Sequence, residues 1–291
     1  DRLLSLVAEL RHRDCDVRRG VDDGVHQLRV TCRRLRGALA TYRPLVDREV
    51  TDPVRDELRW VARTLGDGRD AEVMHVLLRE LVADLPRSQV HGPVRRRLDR
   101  TYAARLRAAD RHAQRVLDSP RYRRLLGRLE ALVTQPPWTE AADKPADTVL
   151  RKRVARDWNR LEERVALVHA LEEAGDGTRD AAYDEALHDV RKAAKRLRYA
   201  CETLEYGWGK DAKRLRKAAQ EVTQVLGDRQ DTAVLRVDLR RVARAAAAAG
   251  ESAFTYGVLH AREEARGAQR EAEFAEVWER VSRAKLRAWL D

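Results

Sequence analysis

The stretches "VHQLRVTCRRLRGAL", Val25 to Leu39, and "LHDVRKAAKRLRYAC", Leu187 to Cys201, share six identities in fifteen positions. His26 and His188 stand 162 residues apart, and "LGDGRDAEV" from Leu65 meets "LGDRQDTAV" from Leu226 at a separation of 161, with five identities in nine. Two matches in nearly one register, at a period far beyond the roughly 20–50 residues of solenoid repeats, read as a duplicated domain. The expected halves are 1–146 and 147–291, joined through "TQPPWTEAADKPAD", Thr134 to Asp147, where Pro136, Pro137 and Pro145 interrupt any regular helix.

The spacing around these stretches is helical throughout. Gly numbers 15 and Pro 8 in 291 residues, while Ala, Leu, Arg and Glu abound. Amphipathic runs predict helices near 2–11, 23–43, 51–65, 69–84, 91–117 and 120–133, then near 148–174, 178–206, 210–226, 230–249, 251–268 and 271–290. Gly20, Pro44, Gly66, Pro86, Pro120, Gly175, Gly177, Gly209, Gly227 and Gly250 read as breaks, and Asp52-Pro53 as a cap and first turn. Short connections favour antiparallel neighbours, so the fold class is all-α, with one helical bundle per half. No alternating period or Gly-rich phosphate loop suggests a Rossmann or P-loop fold.

On the first helix, about 100° per residue places Arg29, Arg33 and Arg36 within about 80° of His26, as one stripe. Leu28, Cys32, Leu35 and Leu39 group on another side and should face the core, while Arg34 falls away from both. The second copy repeats the pattern: His188, Arg191, Lys195 and Arg198 align, Val190, Leu197 and Cys201 take the apolar positions, and Arg196 stands apart. Like charges at i, i+3 and i+4 repel. No acid lies between Val25 and Tyr42, and only Asp189 precedes Glu202 in the second stretch. An anion would complete such a row; the alternatives are a solvated basic face and neutral histidines hydrogen-bonded to a neighbouring helix. A phosphate there would also favour protonated His26 and His188, whose pKa the neighbouring cations otherwise lower.

The whole chain agrees in sign, with 59 Lys and Arg against 48 Asp and Glu, a net charge of +11. Such a field favours nucleic acid, acidic membrane or a phosphate polymer.

At these residues the chain resembles the CHAD family, the conserved histidine α-helical domain, over essentially its whole length. The resemblance implies two antiparallel helical bundles related by a pseudo-two-fold axis, with basic residues of both facing a central cavity or groove. It further implies binding of inorganic polyphosphate without catalysis, in the cytoplasm and on polyphosphate granules of bacterial cells. Carried over position by position, the binding residues are His26, Arg29, Arg33, Arg36, His188, Arg191, Lys195 and Arg198. Arg34, Arg55, Lys192, Arg196 and Arg216 are secondary candidates. Gln27 replaces the acid found at Asp189, and Lys195 stands where the first half has Arg33; Lys lacks the planar fork of Arg yet still binds phosphate. Some family members join a CYTH triphosphatase domain, for which these residues supply no strands. A neighbouring domain, granule proteins and other phosphate-rich polyanions are the remaining expected partners.

Two other readings compete. Nucleic acid would use the same charge, but Trp60, Trp138, Trp158, Trp208, Trp278 and Trp289 are scattered rather than interleaved with the basic rows. An accessory module of a triphosphatase or phosphohydrolase would need catalytic or metal residues. His188-Asp189 point about 100° apart on a helix. Asp67 and Asp70 could hold Mg²⁺ but more simply organise a turn. No enzyme activity, metal or cofactor is therefore expected. Cys15, Cys32 and Cys201 have no C-x-x-C spacing and read as idle thiols in a reducing compartment. No apolar run is long enough to span a membrane, no signal-peptide core opens the chain, and the missing initial Met suits a segment of a longer one.

Overall fold

A computed structural model describes residues 1–174 and 181–290, and the side chains of all of these except 67–70 and 206. The fold is all-α, as expected. The main helices are α1 Arg2–Arg18, α2 Gly24–Thr41, α3 Arg48–Thr64, α4 Gly66–Ala83, α5 Val94–Asp118, α6 Pro120–Thr134, α7 Lys152–Ala174, α8 Ala181–Ala248 and α9 Phe254–Val281. Among the described residues the one extended pairing is a single bridge, Val46 to Trp138. No helix among them is long and apolar enough to cross a membrane.

Local chemistry explains the boundaries. Gly20 closes α1 at φ 67°, a left-handed value that favours glycine. Ser119 accepts from the Tyr122 N–H and Pro120 opens α6, so "DSP" is a cap followed by the residue that needs no amide donor. Three expectations change. Asp47 rather than Asp52 starts α3, accepting the Glu49 N–H at 2.8 Å, which leaves Pro53 inside the helix. Gly227 does not break α8: the helix runs from 181 to 248 with one kink, at Gly209, where φ is 46°. The two helices expected over 251–290 are one helix, α9, followed by short turns. The breaks at Gly175 and Gly177 lie outside the described residues.

Packing divides the chain into two compact units that cut across the linear boundary near 146. The first comprises Asp1–Arg36, Asp52–Pro136 and Thr232–Arg266. In it Leu78 of α4, Leu98 and Tyr102 of α5, Leu235 and Leu239 of α8, and Leu259 of α9 form one buried cluster. Leu6 and Leu10 of α1 and Tyr122 and Leu129 of α6 are buried where these helices pack on each other and on α5.

The second unit comprises Gly37–Thr51, Pro137–Asp231 and Gly267–Asp291. Its core joins Val154, Trp158 and Leu161 of α7 to Val190, Leu197, Cys201 and Leu215 of α8 and Phe274 and Val277 of α9. Trp158 and Trp278 stack with centroids 6.0 Å apart. Tyr42 and Trp208 pack against this core, and Tyr199 is buried, consistent with core rather than ligand-stacking roles. The proline-rich seam makes no regular α-helix beyond Thr134. It is stitched instead to the α2–α3 connection, the Asp47 N–H donating to Pro137 O at 2.8 Å and the Thr139 N–H to Leu45 O at 3.0 Å. Cys32 and Cys201 are buried, and burial pushes the Cys32 thiol up to about 12, which makes it unreactive; Cys15 is exposed.

Helix packing in the second unit depends on a glycine. A Cβ on Gly37 of α2 would lie 2.7 Å from the Tyr199 Cβ of α8. Gly37→Ala is therefore expected to destabilise the protein by about 1–3 kcal/mol. Gly127, on the open face of α6, meets nothing within 4 Å, so Gly127→Ala should instead stabilise by about 0.5–1 kcal/mol. Urea unfolding of both variants checks the pair of signs.

Candidate anion-binding faces

In the first unit, α2 presents two faces. Leu28, Cys32 and Leu35 are fully buried, and this apolar row fixes the rotation of the helix. His26, Arg29, Arg33 and Arg36 then emerge together, half-buried, as the spacing predicts. Arg34, expected apart, pairs with Glu9 of α1 at 3.3 Å. In the second unit, Val190, Leu197 and Cys201 are fully buried, while His188, Arg191, Lys195 and Arg198 are half-buried. Arg196, also expected apart, pairs with the buried Asp157 of α7 at 2.7 Å.

Within each row the charged groups have different surroundings. The Arg29 guanidinium donates to Ala62 O in the last turn of α3 and to Gly66 O at the start of α4, both at 3.2 Å, and so ties α2 to the α3–α4 junction. Gly66 is what lets it approach, since a Cβ there would lie 3.3 Å from Arg29 Nη2. The second unit repeats the contact: a Cβ on Gly227 would lie 3.4 Å from Arg191 Nη2. One arginine of each row therefore lies beside the glycine of its "LGD" motif.

Arg33 donates only to the Arg29 carbonyl, at 3.3 Å, and so keeps its charge unopposed by any carboxylate in ion-pair contact among the described residues. Arg36 is in the same state, and its Nε is buried without a hydrogen-bond partner. Burial, then the nearby Arg59 and Arg55, holds the Arg36 pKa below the usual guanidinium value. In the second unit Arg198 lies over the Tyr199 ring, 4.6 Å from its centroid, again with no carboxylate in ion-pair contact among the described residues. His188 Nδ1 is buried without a partner, and burial, then Lys192 and Arg191, lowers the His188 pKa. The cation effect expected for this imidazole is present but comes second to burial.

The secondary candidates are engaged differently. Arg55 pairs with Asp52 at 2.6 Å and Lys192 with Asp189 at 2.9 Å, while Arg216 pairs with Glu205. All five secondary candidates thus meet a carboxylate. Arg59, which sequence reasoning did not single out, adds to the field around Arg36 from one turn beyond Arg55; the i, i+4 spacing was its only signal. Asp67 and Asp70, the residues considered for Mg²⁺, have no described side chains.

The sequence model of the CHAD domain matches residues 2–240. Uncharacterized proteins from two strains of Mycobacterium tuberculosis, CDC 1551 / Oshkosh and ATCC 25618 / H37Rv, are each 34% identical over 281 residues. These alignments take 97% of this chain and 51% of each relative, so the chain spans about half the length of the curated relatives it matches. The crystal structure of the CHAD domain from the plant Ricinus communis is similar with a TM-score of 0.66 at 25% identity, covering 96% of this chain and 89% of that one. PptA from Streptomyces chartreusis has the same fold, with a TM-score of 0.67 at 21% identity over 95% of this chain and 99% of that one.

If Arg29 is a structural fastener, Arg29→Met should lower unfolding free energy by about 1–3 kcal/mol, because two backbone carbonyls lose charged donors. Arg33→Met, one helical turn on, should stay within about 0.5 kcal/mol of the parent protein. Equilibrium denaturation distinguishes the two, and equal effects would contradict the assignment.

Proposed function

The chain belongs to the CHAD domain family, and from that membership we propose that it binds inorganic polyphosphate without chemically changing it. The family is associated with polyphosphate binding and with triphosphatase contexts. The supporting observation is the division of charge. Arginines pointing away from the rows are neutralised by Glu9 and Asp157, whereas Arg33, Arg36 and Arg198 within the rows have no carboxylate in contact among the described residues. Such groups suit a ligand that supplies its own closely spaced negative charges.

A flexible phosphate chain fits half-buried side chains better than a duplex, which needs an exposed helix or ribbon to enter its groove. Arg33, Arg36, Arg198, Lys195 and the two histidines are the proposed ligands, with Arg29 and Arg191 holding the rows against the "LGD" glycines. The proposed location is the polyphosphate granule in the cytoplasm. The remainder of a longer protein, or granule proteins, would be the partners.

Binding should fall steeply as salt rises, because each phosphate contact releases counterions. The triple variant Arg33→Gln, Arg36→Gln and Arg198→Gln should lose long-chain polyphosphate binding while retaining helical circular dichroism. Long-chain polyphosphate should outcompete single- and double-stranded DNA of equal phosphate content, and tripolyphosphate incubated with Mg²⁺ should release no orthophosphate. Equal or tighter DNA binding, or robust phosphate release, would overturn the proposal.

Acid should strengthen binding. Without ligand the lowered His188 pKa favours the neutral ring, so its contribution to stability is full above the ordinary value of about 6.5 and is lost as pH falls below it. A bound phosphate offsets the surrounding cations and raises that pKa, so the proton is taken up with the ligand. Affinity is expected to rise from about pH 7 to pH 5.5. His188→Gln should flatten the profile, as measured by titration calorimetry in buffers of different ionisation enthalpy.

A further inference from the structure

Asp157 is buried on α7. It pairs with Arg196 at 2.7 Å and with Arg160 at 3.3 Å. Arg153, one turn earlier, shares neither pair. No carboxylate lies in ion-pair contact with it among the described residues, and its solvent-shielded Nε has no hydrogen-bond partner. The charges that Arg153 feels are Asp157 on one side and Arg160, Arg156 and Arg43 on the other. Arg43, Arg153, Arg156, Arg160 and Arg196 all belong to the second unit.

The sequence "RKRVARDWNR", residues 151–160, shows how this arises: positions 153, 156 and 160 follow i, i+3 and i+7 and share one face of α7. Arg43 reaches the same field from the connection after α2. A half-buried guanidinium with an orphaned donor and like-charged neighbours is unfavourable to the folded chain. An oxyanion beside Arg153 removes both penalties, accepting the Nε–H and opposing the charge of Arg153. Tetrahedral phosphoryl oxygens match the arginine fork in pairs.

We infer that Arg153, Arg156, Arg160 and Arg43 form an anion-binding site for a phosphoryl group, built from residues outside the His/Arg rows of α2 and α8. Free pyrophosphate and a phosphate unit of a polymer present the same chemistry. Only the polymer source rests on the proposed function.

The test is thermal melting of the full chain at constant ionic strength with pyrophosphate or long-chain polyphosphate, for the parent protein, Arg153→Met and Arg128→Met. Arg128, exposed on α6, controls for the loss of one charge. Arg153→Met should melt higher than the parent without anion and bind both anions about tenfold more weakly, the worth of one charge-assisted contact. Arg128→Met should leave both readouts near the parent. Unchanged anion affinity in Arg153→Met overturns the inference, whatever its melting temperature, and if the Arg33/Arg36/Arg198 variant loses polymer binding at the same time, the proposed function stands alone. Arg153-dependent pyrophosphate binding with no polymer binding by the parent protein sustains this site and removes the polyphosphate reading.

Discussion

A helix that carries a histidine at i and arginines at i+3, i+7 and i+10 is held in place chiefly by its opposite face. Each adjacent like pair on α2 costs a few tenths of a kcal/mol, whereas fully burying one leucine side chain contributes about 1.5–3 kcal/mol. Leu28, Cys32 and Leu35 in one copy, and Val190, Leu197 and Cys201 in the other, are all fully buried. The core therefore determines helix rotation, and the charges go where that rotation sends them. Arg29 and Arg191 add a second attachment by packing on Gly66 and Gly227.

Electrostatics then sorts side chains that look alike on paper. Arg34 and Arg36 are two positions apart, yet one meets Glu9 while the other faces Arg55 and Arg59 from a half-buried site. Arg196 and Arg198 repeat the contrast with Asp157 and the Tyr199 ring. An arginine in contact with a carboxylate has its charge already answered. One without such a contact is the kind that the proposed function assigns to an external anion, and the difference lies in the neighbouring helix rather than in the arginine.

Glycine and proline were the least readable signals. Gly209 kinks α8, but Gly227 lies within continuous helix beside Arg191. The same residue type can mark a break or a close contact, and spacing along the chain does not distinguish them. Asp52-Pro53 resembled a cap until Asp47, held near Pro137, started the helix one turn earlier. The division into units was equally hidden, since segments distant in sequence, such as Thr232–Arg266, pack with the first part of the chain.

The sequence by itself determined the all-α class, the paired motifs, the apolar anchors and the alignment of His26, Arg29, Arg33 and Arg36 on one face. These follow from a helical period that acts within about ten residues, and such short-range regularity is written directly in residue order. Tertiary structure alone decided which cations are neutralised, that Arg29 ties α2 to the α3–α4 junction, and that Arg153 has no carboxylate in ion-pair contact among the described residues. Those outcomes depend on Glu9, Asp157, Ala62 and Arg43, brought close by long-range packing of a buried core. Coulomb and hydrogen-bond energies depend on distance in space, not on separation along the chain.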